Sequence, residues 1–105
     1  MPKTICQFNL VPGVDATRFW EETLPVHARA ILAQCGELLT GYVISRSLPG
    51  EEAPWRFAVE LSFVGPQERR AFLDRAARID DGFDALLTDF HAVAVEERCM
   101  ITPAG

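Results

Sequence analysis

The hydropathy of this chain changes its period in a fixed order, and that order leaves few folds open. Residues 4–11, TICQFNLV, alternate with period two, placing Cys6, Phe8 and Leu10 on one face and Gln7 and Asn9 on the other. The period then lengthens: Trp20, Leu24, His27, Ile31 and Cys35 recur at helical spacing and share one side. Asp15 is placed to cap that helix, Glu21 and Glu22 lie in its early turns, and the pattern predicts a helix over 16–35 closed by Gly36. Pro25 interrupts it. A proline there cannot donate to the carbonyl of Glu21, so a bend or break costing about 3 kcal/mol is expected beside His27.

Period two returns over 38–48, LLTGYVISRSL, and a polar connection, PGEEAP, follows. WRFAVELSFV, residues 55–64, alternates most clearly, with Trp55, Phe57, Val59, Leu61 and Phe63 on the core side and Arg56, Ala58, Glu60 and Ser62 opposite. Gly65-Pro66 opens a second helix whose buried stripe is Phe72, Leu73, Ala76 and Ile79, and Asp80-Asp81-Gly82 ends it. A short helical turn in GFDALLTDF and a last strand over 91–100 complete the pattern, before an ITPAG end that reads as disordered. Strand, helix, strand, strand, helix, strand is a split βαβ, ferredoxin-like order. The expected class is α+β: an antiparallel four-stranded sheet with both helices on one face.

At 105 residues and 49% hydrophobic, residues 1–105 suffice for a single domain with a real core. A net charge of −5, with no basic run longer than Arg69-Arg70, offers no footprint for nucleic acid. The N-terminus lacks the apolar stretch of a signal peptide, and no segment approaches the ~20 apolar residues of a membrane span, so a cytoplasmic protein is expected. Cys6, Cys35 and Cys99 are odd in number and widely spaced; they are read as small buried thiols rather than as disulfides or a zinc site. No glycine-rich phosphate loop, G-x-S-x-G or H-E-x-x-H occurs, so neither an organic cofactor nor a metal is expected.

Two layers leave one sheet face bare. The residues assigned to it, Gln7, Asn9, Tyr42, Ile44, Arg46, Ala58, Glu60 and Ser62, are mixed in character rather than uniformly charged. Such a face suits contact with a second copy, and a symmetric homodimer with facing sheets is predicted.

The segment DATRFWEETLPVHARAILAQCGELLTGYVISR, residues 15–46, together with the order and length of the elements, resembles the dimeric α+β barrel superfamily. That group includes EthD-like, stress-responsive barrel, antibiotic-biosynthesis monooxygenase and muconolactone isomerase proteins. In the EthD-type pattern, Phe19 or Trp20 corresponds to the helix aromatic, His27 to the helix histidine and Tyr42 to the strand tyrosine. Trp20 and His27 stand seven apart, a wider spacing than that pattern has, and the second helix ends on Asp80 and Asp81 where plant polyketide cyclases of the stress-responsive type carry a histidine. The resemblance implies a small cofactor-independent tailoring enzyme of secondary metabolism. Cyclase or isomerase acid–base chemistry on a hydrophobic polyketide or an indole or pyrrole alkaloid intermediate is the expectation. Its alternatives are a cofactor-free monooxygenase or decarboxylase, or a dimer that binds a metabolite without catalysis.

The candidate catalytic groups are His27, Glu60, His91 and Tyr42. His27 faces the core as a general base or acid beside the Pro25 bend, or else it is a packed imidazole donating to a backbone carbonyl. Glu60 on the bare face is a catalytic carboxylate or the partner of Arg46 or Arg56. His91, in phase with Val93 and Val95, approaches the helix-facing layer from the other end or stays near water. Phe8, Trp20, Leu24, Ile31, Trp55, Phe57 and Phe63 are the expected walls of a substrate pocket, or plain core. Asp80, Asp81, Asp84 and Asp89 read as solvated helix-end carboxylates.

Overall fold

The computed structural model describes residues 2–101. Strand β1 (Pro2–Leu10) leads to a long helical segment made of α1 (Ala16–Arg18), a π-helical turn (Phe19–Thr23) and α2 (Leu24–Cys35). A 3₁₀ turn (Gly36–Leu38), β2 (Leu39–Arg46), β3 (Phe57–Phe63), α3 (Pro66–Ala76), a second 3₁₀ turn (Asp84–Leu86) and β4 (Leu87–Glu96) follow. All neighbouring strands pair antiparallel, in the order β2-β3-β1-β4. Each helical connection therefore crosses one strand, and the helices cover one side of the sheet.

The helix begins as the residues dictate. Asp15 caps it, its Oδ1 accepting from the Arg18 N–H at 3.0 Å. Pro25 does not break it. The π turn ends just ahead of the proline, and the Leu24 N–H reaches back to the Phe19 carbonyl. Pro25 thus occupies the first turn of α2, where its missing N–H costs little. The extra residue rotates everything upstream, so Phe19 is fully buried and Trp20 only half-buried, contrary to the expected stripe. Gly36 keeps a right-handed helical conformation and enters the 3₁₀ turn, rather than acting as a left-handed stop.

Thr4, Cys6 and Phe8 of β1 and Phe57, Leu61 and Phe63 of β3 are buried against the helices. On β2 the expected facing is reversed. Tyr42 lies opposite Leu61, Ile44 opposite Val59 and Arg46 opposite Phe57, so these three sit on the helix side, and Val43 and Ser45 take the bare face. The cause is a register shift between Leu39 and Gly41, which lets both Leu39 and Tyr42 pack on the core formed by Leu61 and Phe63.

Strand β4 starts four residues earlier than expected, and its pairing with β1 shifts between Gln7 and Asn9. Asp89 sits there with φ of 55°, a left-handed conformation that an aspartate tolerates. The irregularity turns Phe90 toward Phe8, 6.3 Å between ring centroids, and sends His91 to the bare face beside Gln7. Val93 and Val95 share that bare face, while small Ala92 and Ala94 lie opposite Cys6 and Thr4.

The core divides into two clusters. One is aromatic, built on Phe8, Phe19, Leu24, Phe57 and Phe83; the other gathers Ile31, Cys35, Leu38, Leu61, Phe63 and Phe72 under α2 and α3. Leu73, expected in the core, is exposed, and Trp55 falls outside β3 and is half-buried. Cys6 and Cys35 are buried free thiols, but Cys99 is exposed. No helix among the described residues is long and apolar enough to cross a membrane. Thr102–Gly105, most of the ITPAG end, lie outside the described residues.

Candidate active site

A cavity of about 150 Å³ lies between the two core clusters. Phe8 and Cys6 of β1, Tyr42 of β2, Leu24, His27 and Ile31 of α2, and Phe83 beyond α3 form much of its wall. The wall continues past Phe90 and Ala92 into a groove of about 450 Å³ between α3 and β4. The surface is mainly apolar, and His27, Tyr42, Cys6 and Asp84 supply its polar atoms.

His27 is the most constrained of these groups. Its Nδ1 lies 2.6 Å from Asp81 Oδ2, and its ring stacks on Phe83 with centroids 3.7 Å apart and planes 4° from parallel. The other oxygen of Asp81, Oδ1, accepts from the Phe83 N–H at 3.1 Å. One turn, Asp80-Asp81-Gly82-Phe83, therefore grips the imidazole from its edge and from its face. Partial burial pushes the Asp81 carboxyl up, but the hydrogen bonds from His27 and the Phe83 amide and the charge of His27 outweigh it, leaving the carboxyl below its ordinary value. An ionised Asp81 can only accept, so Nδ1 carries the proton of this bond and Nε2 is the ring nitrogen left for another partner. Among the described residues no buried side-chain nitrogen or oxygen lacks a partner, and Nδ1 is the ring atom engaged by protein.

Tyr42 faces the same cavity from β2. Burial, with a smaller contribution from Cys6, pushes its phenol up to about 12, so the hydroxyl remains a proton donor throughout the neutral range. Burial likewise raises the Cys6 thiol and keeps it protonated.

Of the residues singled out in the sequence, His27, Tyr42, Phe8, Leu24 and Ile31 meet at the cavity. The others do not. Glu60 is on the bare face and pairs with Lys3 at 3.3 Å, not with Arg46 or Arg56; Lys3 also pairs with Glu97. His91 is exposed on that face, its Nε2 2.7 Å from Gln7 Oε1. Phe63 is a core residue that lines the adjoining groove rather than the cavity itself, Phe57 is a core residue that lines neither, Trp20 lies under the Arg46 guanidinium, and Trp55 lines neither the cavity nor its groove. The sequence reading missed Asp81, Phe83 and Phe90. Asp81, in the sequence a solvated helix-end carboxylate, is in the structure the partner of His27. Its one local signal is the turn sequence Asp-Asp-Gly-Phe, in which an aspartate that accepts from the amide two residues ahead is a familiar arrangement.

No protein-family model matches the chain, and no curated protein does. Solved structures do. A protein from Thermobifida fusca described as dimeric, ferredoxin-like and of unknown function superimposes with a TM-score of 0.69 at 22% identity, covering 90% of this chain and 88% of that one. The chain has the ferredoxin-like fold. A second ferredoxin-like relative in structure, a dabb family protein from Mesorhizobium loti, gives a TM-score of 0.67 at 14% identity over 93% of this chain and 97% of its own. A putative antibiotic biosynthesis monooxygenase from Deinococcus radiodurans gives 0.63 at 20% identity, with the whole of both chains covered. On this ferredoxin-like frame the cavity occupies the layer between sheet and helices, and the bare face is on the opposite side of the sheet.

Proposed function

We propose that the chain is an acid–base enzyme acting on a small hydrophobic, ring-containing molecule, without an organic cofactor or metal. The observation that carries this reading is the Asp81–His27 pair, 2.6 Å apart, at the wall of a mainly apolar cavity. Asp81 holds the imidazole in one tautomer and stabilises it once charged; Nε2 takes a proton from the substrate and returns it at another position. Tyr42 donates a hydrogen bond to the oxygen on which negative charge develops. The apolar wall fixes the substrate and excludes water from the reactive form. A volume of about 150 Å³ suits a single ring. In this reading the reaction is a cyclisation or isomerisation in secondary metabolism, inside a reducing, cytoplasmic setting that suits the three free thiols.

The reading includes a homodimer through the bare sheet face. Val43 and Val93 are about half exposed there, and Ile5, Ala58 and Val95 join them beside the Lys3–Glu60 and Gln7–His91 pairs. Apolar side chains interleaved with satisfied polar pairs suit a sheet-to-sheet contact.

The test is proton exchange in phenylacetone, a one-ring ketone, followed by NMR in deuterated water. Wild-type protein is expected to accelerate exchange next to the carbonyl, and His27→Ala to lose about 10²-fold or more of that rate. Equal rates with both proteins would remove His27 from the mechanism. The likeness to the Deinococcus radiodurans protein favours a second reading, a cofactor-free monooxygenase. Oxygen consumption with a hydroquinone substrate in place of proton exchange would select it.

A further inference from the structure

A second concavity, of about 290 Å³, lies at the far end of β2 and is lined in part by Arg46, Arg56, Ser47, Thr17 and Glu21. Hydrogen bonds hold the main chain of Arg56 beside the end of β2. Ser47 N–H donates to the Arg56 carbonyl at 2.9 Å, and the Arg56 N–H is fixed by Asn9 Oδ1 at 2.7 Å. The Arg46 guanidinium lies 4.6 Å above the centre of the Trp20 ring, and that ring stacks in turn on Phe57. Among the described residues neither guanidinium forms an ion pair, although acidic side chains outnumber basic ones 15 to 10 in the chain. Arg18, Arg75 and Arg78 each have a carboxylate partner, whereas Arg29, Arg69, Arg70 and Arg98 share the unpaired state among the described residues but none of them lines this hollow. Two arginines without an ion pair line this one hollow, and guanidiniums attract an oxyanion and present flat forks of donors to it.

The hollow adjoins an apolar one. Trp20, Leu24, Pro25, Ala28 and Ile44 enclose about 160 Å³ on the other side of the Trp20–Arg46 pair. Ile44 and Arg46 share one face of β2, two residues apart, so their separation along the strand is about 7 Å. We infer that this edge of the molecule binds an amphiphilic anion: a phosphate or carboxylate head on Arg46 and Arg56, and a short apolar stem over Trp20 and Ile44. The site is separate from the His27 cavity and does not depend on the acid–base reading.

Calorimetric titration of the full chain with hexyl phosphate, hexanoate, hexanol and inorganic phosphate tests it. Hexyl phosphate or hexanoate should bind more tightly than hexanol or inorganic phosphate, and the affinity should fall as salt rises. Whichever of the two anions binds more tightly identifies the head group. Arg46→Ala and Arg56→Ala should each weaken that binding by about tenfold, while Arg29→Ala, which removes an exposed charge elsewhere, should leave it unchanged. Arg46→Gln, which keeps the stem of the side chain, replaces Arg46→Ala if the latter fails to fold. Affinity unaffected by either arginine, affinity matched by inorganic phosphate alone, or no binding at millimolar concentration would each overturn the inference.

Discussion

The chemistry proposed for this chain turns on how one carboxylate is used. Asp81 accepts from a ring nitrogen through one oxygen and from a main-chain amide through the other, which orients His27 and ties the turn after α3 to α2. Its carboxyl is held below the ordinary value, so the native state favours the ionised form. The stabilisation is present in full above the unfolded carboxylate pKa of about 4 and is lost as pH falls through the lower folded value. Asp81→Asn is therefore expected to destabilise the protein at pH 7, with the difference from wild type shrinking below about pH 4, as measured by urea unfolding at a series of pH values. A difference independent of pH would show that the contribution of Asp81 is packing rather than charge.

At the scale of elements, the helical segment and the edge strands carry the main surprises. The π turn moves Phe19, rather than Trp20, into the aromatic cluster with Phe8, Phe57 and Phe83. Phe19→Ala should then cost about 3–5 kcal/mol in chemical unfolding, the usual range for a buried phenylalanine, and Trp20→Ala distinctly less. Equal losses would mean that the stripe runs through Trp20 after all. The same reasoning explains which strand faces could be read from the chain. In β1 and β3 one phase is almost wholly apolar and the other mostly polar, with Ile5 and Ala58 the exceptions, so their inner faces are unambiguous. Both phases of β2 carry apolar side chains, and so do both phases of β4; a single extra residue in the pairing decides which phase turns inward. That is why Tyr42 was assigned to the wrong face, and why His91 was expected near the helices and lies beside Gln7 instead.

For the whole molecule, the bare sheet face sets the predicted assembly. Val93 lies midway along the edge strand β4, half exposed on that face, and a charge there would be desolvated in a facing-sheet dimer without a partner. Val93→Arg should convert a dimer to a folded monomer, read by light scattering behind a sizing column and by an unchanged circular dichroism spectrum. A wild-type chain that already elutes as a monomer would remove the dimer from the proposal.

The order of hydrophobic periods by itself determined the succession of strands and helices, the split βαβ layering and the inward position of His27, because those depend on the local repeat of apolar residues along one segment. The cavity, the pairing of His27 with Asp81, the stack on Phe83 and the gathering of Arg46 with Arg56 were decided only in three dimensions. Each joins residues from separate elements, 54 positions apart in the case of His27 and Asp81, through turns and irregular pairings whose geometry leaves little trace in a hydropathy pattern.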